Sequence, residues 1–218
     1  MKGAKSKVGF STFFSKQARR PSGIFGRFVM SAIFDRGNAF LNGLVLEAMA
    51  VQNGDRVLEI GCGTGRLIGE MAKSIDRGYI EGVDFSDAMV AIAEKRNQRH
   101  IAREVVRITR GDFDELEYER GRFDKVCCVN TVYFWSQPEN TARRIARVLV
   151  PGGIVALAFE DIMQLQKKKL STEVFRLYAV DEVRELLINA GFMSDIDVLT
   201  RKRGKSLFHC VVARTPHA

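Results

Sequence analysis

The stretch Val57-Leu58-Glu59-Ile60-Gly61-Cys62-Gly63-Thr64-Gly65-Arg66-Leu67 constrains this chain more than any other. A short apolar run leads into three glycines at alternate positions, and a helical pattern follows. A plain strand-to-helix turn needs one glycine or two. Three in five residues allow a backbone to approach a ligand closely. The dinucleotide fingerprint G-x-G-x-x-G would need a glycine where Arg66 stands, and a P-loop would need a lysine after the last glycine. Both are missing, which disfavours NAD, FAD and ATP.

Strands and helices alternate around this loop. Arg56–Ile60, Tyr79–Val83, Val105–Thr109, Phe123–Val129 and Gly153–Phe159 read as apolar strands. Arg66–Ser74, Ser86–Arg103 and Thr141–Leu149 read as the helices between them. Asp181–Ala190 is an amphipathic helix stopped by Gly191. Ser194–Leu199 and Ser206–Ala213 read as a final antiparallel pair, with Arg201–Lys205 as the turn. Upstream, Pro21 to about Ala50 reads as helix broken at Gly37-Asn38. The fold class is therefore α/β. We expect a Rossmann-like, seven-stranded, mainly parallel sheet with an antiparallel C-terminal hairpin, helices on both faces and an N-terminal helical cap. The expected boundaries are a basic arm at 1–20, the cap at 21–52 and a ligand-binding domain at 53–218.

Composition supports a folded chain of one domain plus an appendage: 218 residues, 46% hydrophobic and 28% charged. Cys62, Cys127, Cys128 and Cys210 form no disulfide framework, and no Cys/His group has zinc-like spacing. A reduced, cytoplasmic setting fits this usage. No apolar run reaches the ~18 residues of a membrane helix. The net charge of +8 is concentrated at one end. Residues 1–36 carry eight Lys/Arg against Asp35, and the remaining 26 bases face 25 acids. A body so close to neutral is not a globally basic nucleic-acid binder. The arm has the composition of a basic cytosolic tail or, as the minority reading, of an organelle transit peptide.

The glycine stretch, as E-x-G-x-G-x-G, resembles the first motif of class I S-adenosylmethionine (SAM)-dependent methyltransferases. Gly82-Val83-Asp84-Phe85-Ser86 resembles the second motif, Gly111-Asp112-Phe113 the third, Phe123-Asp124-Lys125-Val126 the opening of the fourth strand, and Leu149-Val150-Pro151-Gly152-Gly153 the turn into the fifth. The resemblance covers about residues 38–213. It implies SAM as cofactor, S-adenosylhomocysteine as product, and binding at the carboxyl ends of the strands. It implies that Gly61, Cys62, Gly63 and Gly65 line the cofactor. Asp84 lies 84 − 61 = 23 positions after Gly61, near the ~20 expected of an acid on ribose hydroxyls. Asp112 would accept from the adenine amino group and the Phe113 backbone would serve the ring. Glu59 would order the loop amides or sit near the cofactor's amino group. Phe85 and Met89 would pack on the adenine.

Asn130-Thr131-Val132-Tyr133-Phe134-Trp135 follows the fourth strand, so it sits near the transferred methyl. Asn130 is placed among the cofactor contacts. Asn130 and Tyr133 have the spacing of the N-P-P-Y motif of amino-group methyltransferases, but both prolines are absent, which disfavours a nucleobase acceptor. Tyr133, Phe134 and Trp135 would wall an apolar acceptor pocket, with Tyr133 as candidate base. Phe34 joins them through Phe34-Asp35-Arg36-Gly37-Asn38, which resembles the Y-D-x-x-N segment of ubiquinone/menaquinone-type methyltransferases. His100 reads as solvated, and His209 as structural and far from the carboxyl ends of the parallel strands. With no carboxylate cluster after the fourth strand, no metal is expected. The expectation is methyl transfer to a small molecule. The alternatives are an RNA methyltransferase using the basic arm and a non-catalytic SAM-binding protein.

Overall fold

The computed structural model describes residues 31–167 and 176–217. The arm, the cap before Ser31 and Lys168-Lys169 lie outside them. The chain opens on α1 (Ser31–Met49), β1 (Arg56–Ile60) and α2 (Arg66–Met71), which runs into a 3-10 turn at Ala72–Ser74. There follow β2 (Tyr79–Asp84), α3 (Asp87–Ala102), β3 (Val106–Arg110) and β4 (Phe123–Val129). Next come α4 (Pro138–Val148), β5 (Leu149–Glu160) and α5 (Ile162–Lys167). The chain closes with α6 (Val180–Asn189), β6 (Asp197–Arg203) and β7 (Ser206–Arg214).

The seven strands form one sheet in the order β3-β2-β1-β4-β5-β7-β6. Strands β1 to β5 pair in parallel, and β7 runs antiparallel to both β5 and β6. Strand order reverses between β1 and β4, which opens a crevice at their carboxyl ends. One apolar layer holds Leu58, Val126, Leu157 and Phe159 against Ile145 of α4 and Leu187 of α6. The other holds Val57, Cys127, Ala156 and Cys210 against α1, α2 and α3.

The sequence reading assigns no helix to Ile162–Lys167 and starts the fifth strand at Gly153, not Leu149, and two further departures have a clear physical reason. The break expected at Gly37-Asn38 is absent, and α1 runs through both residues. A glycine or asparagine inside a helix costs up to ~1 kcal/mol. Leu41, Leu44, Val45 and Met49 of the same helix are buried in the second layer. Each contributes roughly 1.5–3 kcal/mol by burial, so the packing wins. The final hairpin is also tighter than expected. Arg201–Arg203 are strand, Arg203 pairs with Ser206, and the turn shrinks to Gly204-Lys205. Gly204 has φ +60°, which suits a two-residue hairpin turn opening on glycine.

Candidate active site

The carboxyl end of β1 delivers the glycine loop into the crevice. Gly61, Gly63 and Gly65 have φ of +71°, +51° and +68°, the left-handed region that side chains avoid. The three do different work. A Cβ at Gly61 would lie 2.3 Å from Thr131 Cγ2, and one at Gly65 would lie 2.8 Å from Ala93 Cβ. Those two glycines let the loop press onto its neighbours. A Cβ at Gly63 would meet nothing within 4 Å, so this residue turns its bare face to open space.

The loop is gripped from several sides. The Gly61 and Cys62 amides both donate to the Val83 carbonyl, at 2.8 and 3.0 Å. From α3, Asn97 Nδ2 donates to the Gly65 carbonyl at 2.9 Å, and Arg96 Nη1 donates to Thr64 Oγ1 at 2.7 Å. Sequence reading missed Arg96 and Asn97. Their only signal is a place on the helix after the second motif, which does not distinguish them from surface residues. Cys62 is buried, and burial pushes its thiol pKa up.

Asp84 joins the first two motifs. Its Oδ2 accepts from the Gly63 amide at 2.9 Å and its Oδ1 from the Ser86 amide at 2.8 Å. It is 9% exposed. Burial raises its pKa, and the two backbone amides pull it partly back. Phe85 beside it is half-buried, and Met89 is buried in the first turn of α3.

Glu59 and Glu81 stand on adjacent strands, and both are buried. Glu81 is fully partnered, by Thr109 and Tyr118 on one oxygen and Arg122 on the other. Glu59 accepts from the Ile68 amide, which caps the start of α2 where Gly65 has no side chain to do so. Its Oε2 has no partner among the described residues. Burial raises its pKa well above the ordinary value, and the nearby Asp84 charge adds to this. A buried carboxyl oxygen with nothing to accept from is unusual in a native fold. Together with the open face of Gly63, it fits a ligand that brings a hydrogen-bond donor into the crevice.

The third motif is split. Asp112 is exposed, and its Oδ1 accepts from the Asp114 amide at 3.0 Å. The Phe113 ring is turned into the core and stacks on Tyr118, and its carbonyl accepts from Arg144 at 3.2 Å. Gly111 ties this loop to the site by donating to the Asp84 carbonyl at 3.1 Å.

Beyond β4, Asn130 has φ +56°, a strained state for a non-glycine residue. Its Nδ2 donates to Asn38 Oδ1 of α1 at 2.8 Å. Thr131 follows, and Val132–Phe134 form a 3-10 turn. Phe134 and Trp135 are half-buried. Tyr133 does not stand as a free base. It is 3% exposed, its hydroxyl accepts from the Glu160 amide at 2.8 Å, and it donates to the Glu160 carbonyl at 3.1 Å. Burial drives its pKa upward, so its phenol keeps its proton. Phe34 falls in the first turn of α1, and its side chain lies outside the described residues.

His209 is placed differently from the sequence reading. Because β7 is antiparallel, its early residues lie beside the end of β5, and His209 pairs with Phe159. Its Nε2 lies 3.2 Å from Asp161 Oδ2 and its Nδ1 lies 2.9 Å from Thr200 Oγ1. His100 is half-buried at the end of α3. Among the described residues no three His, Cys, Asp or Glu side chains are grouped to hold a metal ion, and no helix is long and apolar enough to cross a membrane.

A family model described as a methyltransferase domain matches residues 57–153. An uncharacterized methyltransferase of Bacillus subtilis, YdaC, is 27% identical over 179 residues, covering 82% of this chain and 93% of the relative. Among solved structures, phosphoethanolamine N-methyltransferase 2 of Haemonchus contortus, in complex with phosphomonomethylethanolamine and S-adenosylhomocysteine, superposes with a TM-score of 0.74 at 18% identity. The match covers 89% of this chain and 58% of that one. A SAM-dependent methyltransferase from Aquifex aeolicus gives a TM-score of 0.65 at 19% identity, covering 85% and 97%. These two likenesses carry the fold, and the sequence matches carry the kinship. Residues 57–153 thus match a methyltransferase domain, and the chain as a whole is similar in sequence and fold to S-adenosylmethionine-dependent methyltransferases.

Proposed function

We propose that this enzyme methylates a small molecule seated over the turn that follows β4. The observation that carries this reading is the Tyr133-Phe134-Trp135 turn. It stands at the carboxyl end of β4 beside the glycine loop, and Thr131 lies against Gly61. Half-buried Phe134 and Trp135 offer an apolar wall against which an acceptor can rest.

In this reading Asp84 holds the ribose hydroxyls while its Gly63 contact keeps the loop shut. Glu59 takes the cofactor's amino group on its orphan oxygen. Asp112 and the Phe113 backbone serve the adenine edge, with Phe85 against its face. Bound SAM supplies a methyl group already activated by its sulfonium. The chain's part is then to orient the acceptor in line with that methyl and to exclude water. Positioning of this kind can supply roughly 7–11 kcal/mol of barrier lowering. Tyr133 acts as a fixed wall, because both of its short hydrogen bonds are spent on Glu160.

The test is incubation of the purified protein with methyl-labelled SAM and fractionated cell extract. Label should appear in a low-molecular-mass product. Label appearing instead in RNA, with a steep dependence on salt, would overturn the small-molecule reading.

A further inference from the structure

The β6–β7 hairpin projects from the same end of the sheet as the crevice. Phe208 pairs with Glu160, the last residue of β5, and the hairpin continues past it to Arg203 and Ser206. Its tip is strongly basic. Arg201, Lys202, Arg203 and Lys205 are all exposed, and no acid occurs between Val198 and the C-terminal residue. Arg201 is neutralised by Glu47 of α1 at 3.0 Å, and Arg203 lies over the Phe40 ring at 6.0 Å. Lys202 and Lys205 have no ion-pair partner among the described residues.

Bare apolar side chains stand beside these lysines. Leu207 is directly across from Lys202, so the two share one face of the hairpin. The first turn of α5 is fastened to the same place, with the Asp161 amide and Gln164 Nε2 both donating to the Leu207 carbonyl at 3.1 Å. On that turn Met163 is 61% exposed, and Leu207 itself is 37% exposed. Lysines on an edge strand discourage strand addition, which would account for Lys202. That role does not account for the exposed Met163 and Leu207, nor for Lys205 in the turn. Unpaired cations surrounding exposed aliphatic side chains match an interface with an anionic layer above and an apolar layer below. A nucleic acid would match the charge and leave the aliphatic pair in water.

We propose that the β6–β7 hairpin and the first turn of α5 form a docking face for an anionic lipid surface. Docking there turns the mouth of the crevice toward the bilayer. The face is independent of the methyl-transfer reading, since it uses none of the residues around the glycine loop.

The test is co-sedimentation of the full chain with phosphatidylcholine vesicles, with and without about 30 mol % phosphatidylserine. Binding is expected only to the anionic vesicles. Each basic residue near such a surface contributes about fivefold, so Lys202→Glu/Lys205→Glu should weaken binding by at least about 20-fold. Lys202→Arg/Lys205→Arg should bind like the unaltered chain. Met163→Ser/Leu207→Ser should lose severalfold, which a purely electrostatic contact would not. Circular dichroism and S-adenosylhomocysteine binding, unchanged in every variant, establish that the fold is intact. The proposal is overturned if the chain ignores anionic vesicles or if the charge reversal leaves vesicle binding unchanged. It is also overturned if single-stranded RNA binds through the same lysines while vesicles do not.

Discussion

Replacing Gly63 by alanine should separate cofactor binding from folding. Gly63 has φ +51°, where an L side chain costs about 1–2 kcal/mol. The added methyl meets no protein atom within 4 Å, so no packing cost is added. At about 2–4 °C per kcal/mol for a chain of this size, the melting temperature should fall by about 2–8 °C. The methyl would project from the open side of the loop, into the proposed cofactor site. S-adenosylhomocysteine affinity, measured by calorimetry, should fall by at least about tenfold, or 1.4 kcal/mol. Gly61→Ala is the control. There the methyl would sit 2.3 Å from Thr131 Cγ2, adding an overpacking cost of about 1–3 kcal/mol to the same backbone strain. The sum, about 2–5 kcal/mol, should lower the melting temperature by about 4–20 °C. A Gly63→Ala protein that melts lower yet binds S-adenosylhomocysteine with unaltered affinity would refute the argument, because the open face would then not be the ligand face.

Asp84→Ala should weaken S-adenosylhomocysteine binding by about 1.5–3 kcal/mol, the scale of charged hydrogen bonds, and an unchanged affinity in a folded variant would move the ribose elsewhere. Glu59 bears on pH. Its folded pKa is raised, so the folded state holds this proton more tightly than the unfolded chain, and stability should decline as pH climbs above the ordinary value of 4.5. Glu59→Gln should flatten that decline in a series of thermal melts, and a decline that persists unaltered would assign it to other groups. Tyr133→Phe should lower the melting temperature, because the Glu160 amide loses its buried acceptor, at a cost of about 1–3 kcal/mol. It should leave the pH profile of kcat in place, whereas loss of a titration from that profile would restore Tyr133 as the base.

What the sequence reveals here is what is encoded locally. The three alternate glycines, the acid closing β2 and the alternation of strands and helices each sit within a few residues, and each has a single sensible geometry. The sheet and its direction follow from them. What stays hidden depends on partners far along the chain. Asn97 reaches Gly65 across 32 positions, and Asn38 reaches Asn130 across 92. Neither pairing leaves a local trace. The continuity of α1 was hidden for a related reason, since the helix-breaking residues are local and the burial that overrides them is not. The same holds for Phe113, whose motif position says nothing about the turn of its ring toward Tyr118. The place of His209 is equally hidden, because the direction of β7 decides which of its ends lies at the carboxyl ends of the parallel strands, and that direction is set by β5 and β6.

The last strand of the chain is an interior strand of the sheet, and this bears on how the protein is made. β7 lies between β5 and β6, and Cys210 and Val212 on it complete the layer that covers Leu41, Leu44, Val45 and Met49. During synthesis part of the apolar stripe of α1 therefore waits for residues some 160 positions downstream. At about 5–20 residues per second, that interval is about 8–32 s. β6, made just earlier, has no neighbour to pair with until β7 arrives. The nascent chain thus carries a half-covered helix and an unpaired strand until residues 206–214 emerge. Losing that short terminal piece would not trim an edge but split the sheet, leaving a product fit for chaperones and proteases.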